Sequence, residues 1–352
     1  MGALLHLLCL PGDGIGPEIM AATRRVLDAV TPRCTRPIRV TEAQIGFAAL
    51  KASGTTLPDD LRTAARAADG VILGPVSHND YPAVAEGGLN PSGVLRKDLA
   101  LFANVRPART WAGVPHASKT AFSLTVMREN LEGFYADRNM HMGPGEFMPD
   151  PDTALAFRRI TRAASMNIAR AGFAHAARVG HARVTAVHKA NVMRVSDGLY
   201  LECCREVAAN HPDLHYDEML VDAAAAHLVR DPAQFGTIVT TNMFGDILSD
   251  LASELGGGLG LAGSLNHGAE HAVAQAQHGS APDLAGEGTA NPVSLILSLA
   301  MLLRHRGEAT AADSIERALA VVLPETRTPD LGGTASTDSF TDALIASIEA
   351  TP

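Results

Sequence analysis

Three arginines, Arg96 and Arg106 in VLRKDLALFANVRP and Arg128 in VMRENLEGFY, fall where strand-like and helix-like patterns meet. Singly, each could be a surface ion-pairing residue. As a set they suit a carboxylate cradle, because a guanidinium fork binds carboxylate bidentately and in an acidic protein must be positioned to avoid the chain's own Asp and Glu. Tyr135, seven residues after Arg128, is either a core tyrosine or a proton donor. Asp246 and Asp250 in NMFGDILSDLASELGG are four apart at a helix start, which puts both carboxylates on one face, one turn apart. First-turn acids commonly complement the helix dipole. Here, however, apolar Ile247, Leu248 and Leu251 surround the second acid, and the pair would repel unless a cation lay between them. Oxygen donors of this kind suit Mg²⁺ or Mn²⁺, and Asp222, after the strand EMLV, could complete the set. Lys189 ends RVTAVHK; it is a candidate base if its strand delivers it to a cleft, and a snorkelling surface lysine otherwise.

Two further stretches resemble motifs they do not fulfil. PGDGIGPEIM, from Pro11 to Met20, follows an apolar run and precedes a helical pattern, as a pyrophosphate loop would. Its glycines give G-x-G-x-G, with Pro17 where the dinucleotide fingerprint needs its third glycine, and Glu42 lies too far on to be the ribose acid. His267-Gly-Ala-Glu270-His271 matches the inverted zinc-peptidase string H-x-x-E-H, yet Gly263 and Gly268 argue against the regular helix that would aim both imidazoles at one metal.

The elements that must position these groups alternate. Strand-length apolar runs at 71–74, 121–127, 183–187 and 236–241 are interleaved with helical periodicity, which means an α/β chain. Helix one carries Ile19, Ala22, Val26, Leu27 and Val30 on one face. A second helix is expected after Asp152 from Leu155, Phe157, Ile160, Ala164 and Ile168, and Asn291-Pro292 opens another. The loop from Val76 to Gly93 and the segment from Met140 to Pro151 lack pattern and suit a specificity loop and a protruding arm.

At 352 residues and 46% hydrophobic content the chain can bury one large core or two joined ones. A net charge of −9 disfavours nucleic acid or an anionic membrane as partner, so any anionic ligand is small and locally held. LILSLAML is too short to span a bilayer and reads as a buried helix, and LLHLLCL lacks the flank and cleavage site of a signal peptide. Four cysteines without C-x-x-C spacing give no disulfide framework, and the expected location is the cytoplasm.

Taken in order, GDGIGPEI, LRKDLALFANVRPAR, RENLEGFY, KANVMRVSDGLY, VDAAAAHLVR, TTNMFGDILSDLASELGGGLG and HGSAPDLAGEGTANP resemble the β-decarboxylating dehydrogenases. That family holds isopropylmalate, isocitrate, homoisocitrate and tartrate/D-malate dehydrogenases, and the overall chain is most similar to the isopropylmalate type. The resemblance implies two α/β domains with a large mixed sheet, not a Rossmann fold. A cofactor-binding domain would span 1–101 and 257–352, and a second domain, 102–256, would carry the arm and most of a homodimer interface. It implies NAD and Mg²⁺ or Mn²⁺ as cofactors and a small dicarboxylate or tricarboxylate hydroxy acid as substrate. Arg96, Arg106 and Arg128 would clamp the substrate carboxylates, Tyr135 would protonate the carbon that loses carbon dioxide, and Lys189 would take the 2-hydroxyl proton with a water or an aspartate. Asp222, Asp246 and Asp250 would hold the metal. Asn191 would contact nicotinamide, while His278, Gly279, Ala281, Asp283, Leu284 and Asn291 would surround the adenosine. Active sites would be shared, with Lys189 and Asp222 reaching across the two-fold axis. A non-catalytic regulatory relative would have no need to keep this whole set.

Departures concentrate around the substrate substituent. Gln275 stands where the family usually has a glutamate three residues before the histidine, and Ser92 and Gly93 stand where isopropylmalate enzymes have leucines and homoisocitrate enzymes tend to place an arginine. The reaction class is therefore expected to be β-decarboxylating oxidation, with isocitrate, homoisocitrate, tartrate or D-malate as alternatives to isopropylmalate.

Overall fold

The structure is a computed structural model and describes residues 4–135, 140, 143 and 145–350. Two compact units divide the chain: Met1–Leu99, Trp111–Pro115 and Gly257–Pro352 form one, and Ala100–Thr110 with His116–Gly256 form the other. Trp111–Pro115, inside the 102–256 stretch, thus groups with the first unit.

The first unit opens with β1 (Leu5–Leu10), α1 (Gly16–Val30), β2 (Ile38–Glu42), α2 (Gly46–Ser53), α3 (Asp59–Ala67), β3 (Gly70–Leu73) and α4 (Pro91–Asp98). The second unit runs through β4 (Ala103–Arg109), β5 (Ser123–Glu129), β6 (Glu146–Asp150), β7 (Thr153–Ala156), α5 (Arg162–Val179), β8 (Arg183–His188), α6 (Ser196–Ala208), β9 (His215–Leu220), α7 (Val221–Arg230), β10 (Thr237–Thr240) and α8 (Asn242–Gly256). The chain returns to the first unit for β11 (Leu265–His267), β12 (Ala272–Gln275), α9 (Val293–His305), α10 (Ala309–Val322) and α11 (Thr337–Ala350).

In the first unit the strand order is β2-β1-β3-β12-β11, parallel except for the β11–β12 hairpin. β1 lies between two neighbours, and Leu5, Leu7, Leu8, Cys9 and Leu10 are all buried, as an apolar interior strand requires. α9 is the buried helix expected of LILSLAML: its residues from Val293 to Ala300 are all buried, and Ser294 and Ser298 turn their hydroxyls to backbone carbonyls. Among the described residues no helix is long and apolar enough to cross a membrane.

In the second unit the order is β4-β5-β10-β8-β9, with β4–β5 antiparallel and the rest parallel. α7 and α8 pack Ala224, Leu228, Leu248 and Ala252 against Leu124, Val126, Val187 and Ile238 of the strands. The helix expected from Leu155 onward is corrected. Thr153–Ala156 is a strand of the β6–β7 hairpin, and α5 begins only at Arg162, where Thr161 caps it by accepting from Ala164 N at 3.2 Å. The two-residue step from Leu155 to Phe157 belongs to an extended chain, and both side chains are exposed. The expected arm, Met140 to Pro151, thus includes β6, although His141, Met142 and Pro144 lie outside the described residues. Pro91 starts α4 inside what reads as an unpatterned 76–93 loop.

The glycine-rich stretch after β1 is a structural joint. Buried Asp13 accepts from Phe47 N at 2.8 Å, from Ser77 N at 3.0 Å and from the Tyr81 hydroxyl. Gly14 (φ +57°) lets the chain pass so close to Ser280 that an added Cβ would stand 2.0 Å from its carbonyl oxygen, and Ile15 N donates to that same oxygen at 2.8 Å. Glu18 accepts from Ala290 N at 3.0 Å and from the Thr337 hydroxyl. Within GDGIGPE, Asp13 thus anchors Phe47, Ser77 and Tyr81, the Ile15 backbone holds Ser280 of the HGSAPD loop, and Glu18 holds the Ala290 turn. Gly14→Ala should lower unfolding free energy by at least about 2 kcal/mol, through left-handed strain and the clash with Ser280, measured by urea denaturation.

Candidate active site

β4 and β5 pair Asn104 opposite Arg128, so Asn104, Arg106 and Arg128 all project from one face of the sheet. Arg106 and Arg128 are almost fully buried, at 7% and 2% exposure, and α8 crosses above them. Gly245 permits that crossing, since a Cβ there would lie 2.6 Å from Arg128 Cγ. Asn242, Asp246 and Asp250 follow one another at four-residue steps along one stripe of α8.

The guanidinium groups are anchored from both sides. Arg128 Nε and Nη2 donate to Asn242 Oδ1 at 3.0 and 2.7 Å, and its Nη1 pairs with Asp246. Arg106 Nε donates to Asn104 Oδ1 at 2.5 Å, and its Nη1 donates to Ser249 Oγ at 2.8 Å. The same Nη1 lies 3.1 Å from Oδ1 of both Asp246 and Asp250. Burial, reinforced by the like charge of Arg128, lowers the Arg106 pKa to about 10, and the two aspartates oppose that drop. Two carboxylate oxygens converge on one cationic nitrogen, so this pair of hard donors fits Mg²⁺ or Mn²⁺. Tyr135, half-buried, donates from its hydroxyl to Asp246 Oδ2 at 3.4 Å, and its ring centroid lies 5.8 Å from Arg128 Cζ.

Lys189 and Asp222 form a second centre. β8 delivers Lys189 and α7 begins with Asp222 in its first turn; Nζ and Oδ1 are 2.6 Å apart, and the ammonium holds the Asp222 carboxyl below its usual range. Lys189 N donates to Oδ2 of fully buried Asp197 at 2.6 Å, and the other oxygen of Asp197 pairs with Arg158. Asn191 is exposed in the turn just beyond. Among the described residues of one chain, no group of three or more Asp, Glu, His or Cys is placed to hold a metal, so Asp222 does not complete a ligand set with Asp246 and Asp250 there.

The first unit holds the remaining residues. Ser92 and Arg96 are one turn apart on α4. His278 Nδ1 donates to Gly279 O at 2.9 Å, which leaves Nε2 as an acceptor; that atom is buried and has no hydrogen-bond partner among the described residues. Burial lowers the His278 pKa, which favours the neutral ring. An orphaned acceptor fits an amino donor such as that of adenine. Ala281 adopts φ +38° ahead of the exposed 3₁₀ turn Pro282–Leu284, which carries Asp283 and Leu284. Asn291 accepts from Val293 N at the start of α9 and donates to Asp330 at 2.9 Å. His267 and His271 sit on the β11–β12 hairpin, whose turn is closed by Gly268 N to His271 O, so H-x-x-E-H is not helical.

Sequence reasoning missed Asn104, Asn242, Ser249, Asp197, Arg158 and Asp330. Two of them carry a periodic signal: Asn242 continues the Asp246–Asp250 stripe backwards, and Asn104 alternates with Arg106 along β4. The others meet their partners only through tertiary structure.

A family model described as isocitrate/isopropylmalate dehydrogenase matches residues 6–344. The chain is 40% identical over 344 residues to a 3-isopropylmalate dehydrogenase of Archaeoglobus fulgidus, covering 97% of this chain and 99% of that one. It is 39% identical over 348 residues to an isocitrate/homoisocitrate dehydrogenase of Thermus thermophilus, covering 98% and 99%. The crystal structure of isocitrate dehydrogenase from Methylococcus capsulatus superimposes with a TM-score of 0.88 at 38% identity, covering 98% of this chain and 99% of that one.

Removing the Asp197 carboxylate would leave Arg158 buried without its partner. Asp197→Ala should therefore cost about 3–5 kcal/mol in urea unfolding, and Asp197→Asn less, since the amide still accepts from Lys189 N. Glu129, behind the arginines on β5, accepts from Leu131 N and Glu132 N, yet burial, aided by the like charge of Glu132, raises its pKa from 4.5 to about 7. The folded chain thus holds this proton more tightly than the unfolded chain does. The resulting stability is full below about pH 4.5 and is lost as pH rises through about 7. Glu129→Gln should be more stable than wild type at pH 8, by up to about 3 kcal/mol, with the gap closing by pH 5 in paired denaturation curves.

Proposed function

We propose, from the premise that this chain belongs to the isocitrate/isopropylmalate dehydrogenase family, that it is an NAD-dependent, divalent-metal-dependent enzyme oxidising and decarboxylating a 3-substituted malate. The observation that carries this reading is the cluster that Asp246, Asp250 and Tyr135 form on buried Arg106 and Arg128. It combines two carboxylate receptors, a carboxylate pair that converges on a cation, and a phenol.

In the proposed reaction Arg106 and Arg128 exchange their bonds to the aspartates for bonds to substrate carboxylates, and Arg96 is likewise assigned to a substrate carboxylate. Lys189, paired with Asp222, takes the proton of the 2-hydroxyl, directly or through water. When bound, NAD supplies the hydride acceptor at C2 and Mg²⁺ or Mn²⁺ the Lewis acidity that polarises the C2 oxygen. Tyr135 delivers a proton to C3 after its carboxylate leaves, so the net change converts a 2-hydroxy acid to a 2-oxo acid and carbon dioxide. His278, Gly279, Ala281, Asp283, Leu284 and Asn291 are assigned to the adenosine half and Asn191 to nicotinamide.

Asp246 and Asp250 need a third ligand, and Asp222 of a partner subunit is assigned to it. Support for a homodimer comes from apolar side chains that the second unit leaves exposed, including Ile247 on α8, Val229 on α7, and Met148 and Phe157 at the β6–β7 hairpin. The names of the relatives span isopropylmalate, isocitrate and homoisocitrate, so the substrate must be found by assay.

The direct test supplies NAD and Mn²⁺ with malate, its 3-substituted derivatives, isocitrate and tartrate, and follows reduced cofactor and carbon dioxide together. Turnover of at least one acid with both products is expected; none at all would overturn the reading. Exposed Asp283 can accept from both ribose hydroxyls but repels a 2′-phosphate, so kcat/KM should favour NAD over NADP by at least about tenfold.

Shared sites have their own signature. Lys189→Ala and Arg106→Ala proteins, each inactive alone, should regain roughly a quarter of wild-type activity when unfolded and refolded together, because about half the dimers are then mixed and each has one intact site. No recovery, with mixed dimers confirmed, would place lysine and arginine in one chain's site.

A further inference from the structure

We infer that Arg158 is a positioning residue that couples the two active sites of a dimer, because within one chain it braces both the turn bearing Tyr135 and the backbone of Lys189. The inference rests on the shared-site reading above, in which Tyr135 serves its own chain's site and Lys189 the partner's. Arg158 lies between β7 and α5, and its side chain is only 8% exposed. From there its guanidinium reaches three elements at once.

The first is the turn after β5. Gly133 N donates to Arg159 O at 2.8 Å and Arg159 N to Gly133 O at 2.9 Å, and Glu132 accepts from Thr161 N at 2.8 Å and from Thr161 Oγ1 at 3.0 Å. Arg158 Cζ lies 5.9 Å from the ring centroid of Phe134, the neighbour of Tyr135, and 5.6 Å from that of Phe244 on α8. A guanidinium over an aromatic face attracts the ring electrostatically, so Phe134 is held from both its backbone and its side chain. The second element is α6, and through it Lys189. Arg158 Nη1 donates to Ser196 Oγ at 2.8 Å and to Asp197 Oδ1 at 2.5 Å, while Asp197 Oδ2 accepts from Lys189 N at 2.6 Å. The third is the start of α8, where Nη2 donates to Thr241 Oγ1 at 3.2 Å, one residue before the Asn242 that anchors Arg128.

A counter-ion for Asp197 alone would need none of the contacts to Thr241, Phe134 and Phe244. Asp197 is fully buried and divides its two oxygens between Arg158 and Lys189 N, so neither partner can shift without stranding a buried charge. A displacement of the guanidinium is therefore passed on to the Lys189 backbone. On its other side the same displacement releases Phe134, and with it Tyr135. Proton transfer depends steeply on the approach of donor and acceptor, so both groups lose rate when their backbones move. Arg158 meets no substrate in the proposed reaction; it acts through Phe134 on one site and through Asp197 on the other.

The test uses dimers of one wild-type and one altered chain, refolded from differently tagged full-length chains and isolated by both tags. Turnover is measured with NAD, Mn²⁺ and isocitrate, homoisocitrate, 3-isopropylmalate and malate in turn. One Lys189→Ala chain removes one site, so that dimer should keep about half of wild-type kcat. One Arg158→Gln chain should leave about a tenth, because its own site loses the placement of Tyr135 and its partner's site loses that of Lys189, with KM for NAD within about twofold of wild type. If Arg158→Gln fails to fold, Arg158→Gln combined with Asp197→Asn removes both buried charges together and keeps an acceptor for Lys189 N; the same tenth is expected. About half of wild-type kcat or more in the Arg158 dimer, while Lys189→Ala and Arg106→Ala chains still complement each other, overturns the inference and leaves the shared sites standing. A KM for NAD raised as far as kcat is lowered also overturns it, because Arg158 would then only stabilise the fold. Failure of the complementation overturns the shared-site reading, and turnover of none of the acids overturns the proposed reaction.

Discussion

The paired burial of Arg106 and Arg128 is the constraint around which the second unit is organised. An unpaired guanidinium at such depth would cost several kcal/mol, so each must find anionic and amide acceptors inside the fold. Asp246 and Asp250 supply the charge, and Asn104 and Asn242 fill the directions the carboxylates leave open. The rest follows from that need. α8 must cross close above β4 and β5, which requires Gly245; its core face must anchor it there, which Leu248 and Ala252 do; and its other stripe must be polar every fourth residue. A cluster satisfied in this way is rigid, and it holds two cations and two anions whose partners a dicarboxylate and a divalent metal could replace without leaving any charge exposed to apolar surroundings.

The first unit answers to a different need, the shaping of loops that carry little regular structure. GDGIGPE looks like a nucleotide motif, but its side chains turn inward: Asp13 gathers two backbone amides and a phenol, and Glu18 ties the Ala290 turn to α11. Its glycines let two loops approach to hydrogen-bonding distance at Ser280. With those loops pinned, His278 is left with one ring nitrogen spent on its own backbone and the other buried and waiting. A neutral imidazole with a defined tautomer is a directional acceptor, which a freely solvated histidine would not be.

Much of this architecture is legible in the chain alone. Alternating apolar runs predict the α/β units, since a strand buried on both faces must be apolar throughout and a covering helix on one stripe. The four-residue spacing of Asp246 and Asp250 predicts their common face, because helical geometry is local. The motif strings also carry enough identity to name the family. The hairpin at 146–156 is less visible: Phe157, Ile160, Ala164 and Ile168 keep a helical spacing across its end until Thr161 is seen capping α5. Tertiary structure alone decides which cation meets which anion. That Arg106 Nη1 lies between Asp246 and Asp250, that Asp197 joins Arg158 to the backbone of Lys189, and that Ser92 gives its proton to Gln275 are meetings of residues 8 to 183 positions apart. No periodicity records such meetings, because they arise from the packing of whole elements rather than from the geometry of any one of them.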